Sequence, residues 1–188
     1  MKRDNLCVFC SSSDQIDNLY AETAYELGRL CAQHNIRIVN GAGNTGLMAR
    51  CADGCLENGG KVTGIIPKYM VDNGWMYNGL TESLYTSTMA ERKQMMRDMT
   101  DGTIVLPGGC GTMEEFFETL TLRQQGLYEH PIILLNVSGF FNQIEDWLNK
   151  AIETHFMRES NRILWSTAET PIEALNLFQT LPETHGLI

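Results

Sequence analysis

Short apolar runs separated by longer stretches of helical period fill the 188 residues of this chain, and that alternation leaves few architectures open. Seven runs read as strands: Leu6–Cys10, Ile36–Asn40, Lys61–Ile66, Ser83–Tyr85, Gly102–Leu106, Pro131–Leu135 and, most weakly patterned, Asn161–Trp165. Helical segments are expected from Asn18 to His34, after Thr45, from about Thr88 to Thr100, from near Thr112, from Phe140 to Phe156 and from Ile172 to Phe178. In the first, Tyr20, Ala24, Leu27 and Leu30 or Cys31 recur at spacings of three and four and make one apolar face. Strand, helix and strand in succession imply an α/β fold, an open parallel sheet with helices on both faces, and the pattern carries no strand order. A hydrophobic content of 43% over this length is enough for one sizeable core, so residues 1–188 are expected to form a single domain.

The formal net charge of -9 excludes a broad footprint for a nucleic-acid backbone, so any anionic ligand must be held by a local site. The apolar stretch that ends at Cys10 is too short for a signal sequence or a membrane span, which makes the cytoplasm the expected compartment and reduced thiols the expected state of the six cysteines. Cys7 and Cys10 match Cys-x-x-Cys, but their odd separation within a strand points the thiols to opposite faces, and Cys51 and Cys55 have no His at matching spacing. No metal site is expected.

Three loops with the chemistry to meet a phosphate follow strands. Ser11-Ser12-Ser13 offers hydroxyls that either bond a phosphate or cap the turn. Gly41-Ala42-Gly43-Asn44-Thr45-Gly46 is formally Gly-x-Gly-x-x-Gly, yet the next strand ends in Pro67 without the acidic residue that a dinucleotide's ribose requires. A tight turn or part of a smaller nucleotide site is then the better account of it. Pro107-Gly108-Gly109-Cys110-Gly111-Thr112 lacks the Gly-Lys-Ser/Thr ending of a Walker loop; its three glycines let main-chain N–H groups and a helix N-terminus approach a phosphate. The segment Pro67–Gly79, with Tyr69, Trp75 and Tyr77, has no clean period and reads as a long loop near strand ends, where α/β proteins place ligands.

Two charged groups have competing readings. Thr112-Met113-Glu114-Glu115 fits a capping box, with Thr112 as the cap and Glu115 reaching back; alternatively Glu115 is a carboxylate one turn from a phosphate cradle. Arg92 and Lys93, about 100° apart on their helix, are either a solvated pair beside Glu91 or a site in which Arg92 offers its fork to an anion.

Taken together, Pro-Gly-Gly-x-Gly-Thr-x-x-Glu at 107–115 and Met-x-x-Arg-Lys at 89–93 resemble the Lonely Guy family of cytokinin riboside 5'-monophosphate phosphoribohydrolases. The likeness extends over about residues 5–156 through Val8–Ser13, Gly41–Met48, Val62–Pro67 and Leu134–Asn142. It implies a Rossmann-like homodimer, without a cofactor, that hydrolyses the N-glycosidic bond of adenine-type nucleoside 5'-monophosphates, AMP or N6-modified forms, to free base and ribose 5-phosphate. It assigns Arg92 and Glu115 as the catalytic pair, and Lys93, Gly108, Gly109, Cys110, Gly111, Thr112, Met113, Glu114 and Thr121 as substrate-contacting positions. Some relatives carry a lysine decarboxylase label, but none of the five lysines stands in a recognisable Schiff-base setting. Ser11, Ala42, Asn44 and Cys110 depart from residues common in the family, and the Tyr69–Gly79 loop departs from plant members. These differences bear on base preference more than on the reaction.

Overall fold

In the computed structural model, which describes residues 2–184, the strands are β1 (Asn5–Phe9), β2 (Arg37–Asn40), β3 (Val62–Pro67), β4 (Glu82–Thr86), β5 (Thr103–Val105), β6 (Ile132–Leu135) and β7 (Ser166–Ala168). All pair in parallel, in the order β4-β3-β2-β1-β5-β6-β7. The helices are α1 (Asn18–Gln33), α2 (Gly46–Leu56), α3 (Lys68–Asp72), α4 (Met89–Asp98), α5 (Cys110–Gln124), α6 (Asn142–Glu153) and α7 (Pro171–Thr180).

Alternation along β1 shows how the pleat sorts the core. Leu6, Val8 and Cys10 join one apolar cluster with residues of α1, α2 and α7; Cys7 and Phe9 join another with Met96 of α4, Phe116 and Leu120 of α5 and Leu148 of α6. The two thiols of the Cys-x-x-Cys run therefore lie on opposite faces, as the odd spacing requires. All the cysteines but Cys110 are buried, and all are free.

Strands β1 to β4 step outward to one side of the sheet, and the chain then crosses back so that β5, β6 and β7 step outward on the other. Where the winding reverses, the loops leaving β1 and β5 part at their carboxyl ends and open a crevice.

Four elements differ from the sequence expectation, the first being α3, a short helix at Lys68–Asp72 within the stretch expected as one long loop. Residues 159–164 form a 3-10 helix rather than a strand, because the Asn161 carboxamide accepts from the Arg158 N–H and turns the chain; the last strand begins at Ser166. The stretch expected as one helix from Phe140 is a 3-10 turn at Val137–Gly139 followed by α6, with Ser138 at φ 52°. Helix α5 starts at Cys110 with Gly109 as its N-cap, two residues before Thr112. Among the described residues, no helix is long and apolar enough to cross a membrane.

Candidate functional site

Loops from the carboxyl ends of β1 to β5 converge on a cavity of about 660 Å³. Ser11, Ser12 and Ser13 come from behind β1; Gly43, Asn44, Thr45 and Met48 from behind β2; Met70 and Trp75 from behind β3; Met89 and Arg92 from α4; Gly109, Gly111, Thr112, Glu114 and Glu115 from α5.

The two glycine loops, alike on paper, differ in what their N–H groups do. In the Gly41–Gly46 turn, Ala42 N–H donates to Asn40 Oδ1 (2.9 Å), Gly43 N–H to Met48 Sδ (2.9 Å), Asn44 N–H to the Trp75 carbonyl (3.0 Å) and Gly46 N–H to Asp14 Oδ1 (2.6 Å). Those donors are occupied by the protein itself, and a carboxylate already sits on the N-terminus of α2. These N–H groups are not free to cradle a pyrophosphate. The first-turn N–H groups of α5, at Cys110, Gly111 and Thr112, have no intrahelical acceptor, and no side chain caps them. A Cβ built on Gly109 or Gly111 would meet nothing within 4 Å, so the cradle is open where main chain faces the cavity. Ser11 and Ser13 are taken up in the turn: Ser11 Oγ accepts from Ser13 N–H (3.0 Å) and Ser13 Oγ from Gln15 N–H (3.3 Å).

The capping-box reading of Glu115 does not survive. Thr112 lies inside α5 and Glu115 in its second turn, so the carboxylate has no cap to make. The capping box is at α4, where Thr88 Oγ1 accepts from Glu91 N–H (3.1 Å) and Glu91 Oε2 accepts from Thr88 N–H (3.3 Å). Glu115 is half-buried at the cavity wall, and its carboxyl is pushed up to about 7. Burial is the main cause; Glu114 and Glu118 add to it, while Arg92 and, less, Lys93 oppose it.

Nor are Arg92 and Lys93 a solvated pair, since both are buried. Arg92 reaches over the sheet end, where Nε donates to the Ile65 carbonyl (3.0 Å) and Nη2 to the Gly41 carbonyl (2.7 Å). Gly41 is required for this, because a Cβ there would lie 1.5 Å from Nη2. Nη1 lies 3.8 Å from Met89 Sδ. Lys93 turns the other way, hydrogen-bonding Glu114 and pairing with Glu118 at 3.2 Å, while Arg97 Nη1 meets the same Glu118 carboxylate at 2.5 Å. Burial alone would lower the Lys93 pKa, but its bonds to Glu114 and Glu118 outweigh this and raise it. A Schiff-base lysine needs the opposite shift.

Of the residues singled out from the sequence, Arg92, Gly109, Gly111, Thr112, Glu114 and Glu115 line the cavity. Gly108 lines an adjoining hollow of about 170 Å³ with Ser11, Pro107 and Phe140. Lys93 stands behind Glu114, Met113 packs in the core and Cys110 is exposed on the first turn of α5. Thr121 is exposed two and a half turns beyond Thr112, on the other side of the helix, where its hydroxyl bonds the Phe117 carbonyl, away from the cavity. Met48, Met70, Trp75 and Met89 also line the wall; Met89 opens the Met-x-x-Arg-Lys run and Trp75 lies in the aromatic loop, but neither was assigned to the site from the sequence. Among the described residues no group of three or more His, Cys, Asp or Glu side chains could hold a metal ion.

A family model described as "Possible lysine decarboxylase" matches residues 48–178. Two cytokinin riboside 5'-monophosphate phosphoribohydrolases of Arabidopsis thaliana are each 33% identical to the chain, over 180 residues (96% of this chain, 84% of the relative) and 184 residues (98% and 86%). Solved structures with a similar fold include the molybdenum cofactor carrier protein of Chlamydomonas reinhardtii, with a TM-score of 0.72 at 18% identity, covering 93% of this chain and 95% of that one. Another is the molybdenum cofactor binding protein of Rippkaea orientalis, with a TM-score of 0.70 at 21% identity and coverage of 94% and 96%.

Proposed function

The chain belongs to the Lonely Guy family of cytokinin riboside 5'-monophosphate phosphoribohydrolases, and on that footing we propose that it hydrolyses adenine-type nucleoside 5'-monophosphates, AMP and N6-modified forms, to free base and ribose 5-phosphate. The observation that carries the reading is one cavity in which an uncapped helix N-terminus, a carboxylate with a pKa near neutrality and a fixed guanidinium meet.

Cleavage of the ribosyl C–N bond builds positive charge on the sugar, and water supplies the new C1' oxygen. In this proposal the N–H groups of Cys110, Gly111 and Thr112, with the α5 dipole, hold the phosphate. Glu115, as the carboxylate, stabilises the cationic sugar and accepts a proton from the attacking water; that proton is passed on to the leaving base, through solvent, so the carboxylate is regenerated and the reaction balances as nucleotide plus water to free base plus ribose 5-phosphate. Arg92 has its side-on fork, Nε and one Nη2 hydrogen, tied to main-chain carbonyls; the end-on edge of Nη1 and the second Nη2 hydrogen is the part left for a substrate oxygen. Lys93 keeps Glu114 neutralised beside the cradle.

The homodimer is proposed on the outer face of α5 and α6. Phe117 and Trp147 meet there edge to face at 5.6 Å, Trp147 is 57% exposed, and Thr121 is one turn on from Phe117. This location gives Thr121 a role at the subunit contact rather than in its own cavity. Incubating the purified protein with AMP and quantifying adenine and ribose 5-phosphate tests the reaction. Saturable binding of AMP without base release would replace it with a nucleotide-binding role.

A further inference from the structure

Behind the cavity wall, α4 and α5 face one another through a ladder of charge. Lys93 and Arg97 are one helical turn apart on α4, as are Glu114 and Glu118 on α5, so each pair lies along one helix face. Lys93 bonds Glu114 and pairs with Glu118 at 3.2 Å, and Arg97 Nη1 meets Glu118 Oε2 at 2.5 Å. Glu114, at one end, lines the cavity; Arg97, at the other, does not. The two cations are the buried members, Lys93 at 8% and Arg97 at 5% exposure. Arg97 also stands in the last turn of α4, where the helix dipole favours a cation, and its Nη2 donates to Gln94 Oε1 (3.3 Å).

Glu118 connects this ladder to the reacting carboxylate, because it is also one turn along α5 from Glu115. Burial pushes the Glu118 pKa up, but its bonds to Arg97 and Lys93 outweigh this and hold it below the ordinary carboxylate value. Glu118 is therefore charged throughout the range in which Glu115 titrates. The charged and titratable groups that face Glu115 are Arg92 and Lys93 from α4, Glu114 and Glu118 from α5, and the thiols of Cys7 and Cys10 from β1, which burial keeps protonated. Of these, Glu118 is the one whose charge is balanced from outside the cavity. With Arg97 in place, two cations share it; without Arg97 it draws on Lys93 alone, which has Glu114 to hold as well. Loss of Arg97 leaves more uncompensated negative charge beside Glu115, and loss of Glu118 leaves less.

We propose that Arg97 is a positioning residue of the active site, acting through Glu118 and Lys93 to set the pH above which Glu115 works as a carboxylate. The inference rests on the hydrolase reading for its consequence, and the test separates the two. Glu115 is titrated directly by NMR, with glutamate labelled at the side-chain carboxyl and the resonance assigned by its loss in Glu115→Gln. The proteins are wild type, Arg97→Gln, Arg97→Lys, Glu118→Gln and the double variant Arg97→Gln with Glu118→Gln, and kcat/KM for AMP is followed against pH on the same preparations. Arg97→Gln is expected to move the Glu115 midpoint up by about half to one pH unit, and Glu118→Gln to move it down by a similar amount. Arg97→Lys, which keeps the charge, is expected to return it to within about 0.3 pH unit of wild type. In the Glu118→Gln background, Arg97→Gln is expected to move it less than about half as far as in wild type, since the carboxylate it acts through is gone. The kcat/KM inflection is expected to follow the midpoint in each protein. A purely structural role for Arg97 lowers stability and leaves these midpoints where they are. A midpoint unmoved by Arg97→Gln, or moved equally in both backgrounds, overturns the proposal and leaves the hydrolase standing. Midpoints that move as expected in proteins that release no base from AMP overturn the hydrolase and keep the charge ladder. If Arg97→Gln does not fold, Glu118→Gln decides, its side chain being 35% exposed: a midpoint that falls supports the proposal and one that does not overturns it.

Discussion

Replacing Glu115 by glutamine separates its chemical role from its structural one, because the structure predicts opposite signs for activity and stability. A carboxyl whose pKa rises from 4.5 to about 7 on folding holds a proton that the unfolded chain has lost between those pH values. The native state then binds more protons than the unfolded state, so stability falls as pH rises through that window. At about 1.36 kcal/mol per pKa unit, the ionised carboxylate costs about 3 kcal/mol at pH 8 and about 1 kcal/mol at pH 5. Glutamine has the shape of the protonated acid and carries none of that burden. Thermal unfolding of Glu115→Gln should therefore show a Tm gain over wild type of roughly 6–12 °C at pH 8, shrinking to a few degrees at pH 5. Base release from AMP should fall by at least about 100-fold at pH 8, and by much less at pH 5, where the wild-type carboxyl is itself mostly protonated. Scans in matched buffers at the two pH values, with adenine release assayed on the same preparations, give both readouts. A Tm gain independent of pH, or a loss at pH 8, would refute the electrostatic account; full activity with a higher Tm would refute the catalytic one.

The kcat/KM profile for AMP should rise with pH through an inflection near 7, since the proposed mechanism uses Glu115 ionised in the free enzyme; a profile that falls through 7 would make the protonated acid the working form. Gly111→Ala places a methyl group where nothing lies within 4 Å and replaces a helical glycine, so stability should increase by about 0.5–1 kcal/mol while KM for AMP rises several-fold; an unchanged KM would take the phosphate off this helix. Arg92→Lys cannot satisfy the Gly41 and Ile65 carbonyls together, and should cost about 1–3 kcal/mol in denaturant unfolding and at least tenfold in kcat. If the proposed dimer forms through α5 and α6, wild type should sediment as a dimer and Trp147→Glu as a folded monomer; a dimeric variant would place the contact elsewhere, and a monomeric wild type would remove the dimer.

Much of the fold was legible because the inner strands are buried on both faces and so read as short apolar runs, as in Ile132–Leu135. Asn161–Trp165 misled because Ile163 and Trp165 suggest a strand, whereas Asn161 bends the chain with a local hydrogen bond that composition does not display. Strand order was unreadable for a different reason. Parallel crossovers of similar length connect β3 to β4 and β4 to β5, yet one steps outward and the other crosses to the far side of β1.

The site was half legible, and the glycine loops show why. Counting glycines ranks Gly41–Gly46 and Gly108–Gly111 alike, since each permits main chain to approach a ligand. What separates them is whether other parts of the chain already fill the donors. Asp14 and Trp75 come from loops behind β1 and β3, and neither has any spacing relation to the Gly41 turn. The same holds for Arg92, whose local setting beside Glu91 and Lys93 suggests a solvated helix face. Its carbonyl partners lie 27 and 51 residues away, where only the sheet order brings them together. Residue type and spacing announce which groups are able to bind an anion; the tertiary hydrogen bonds decide which are still free to, and here that leaves the N-terminus of α5.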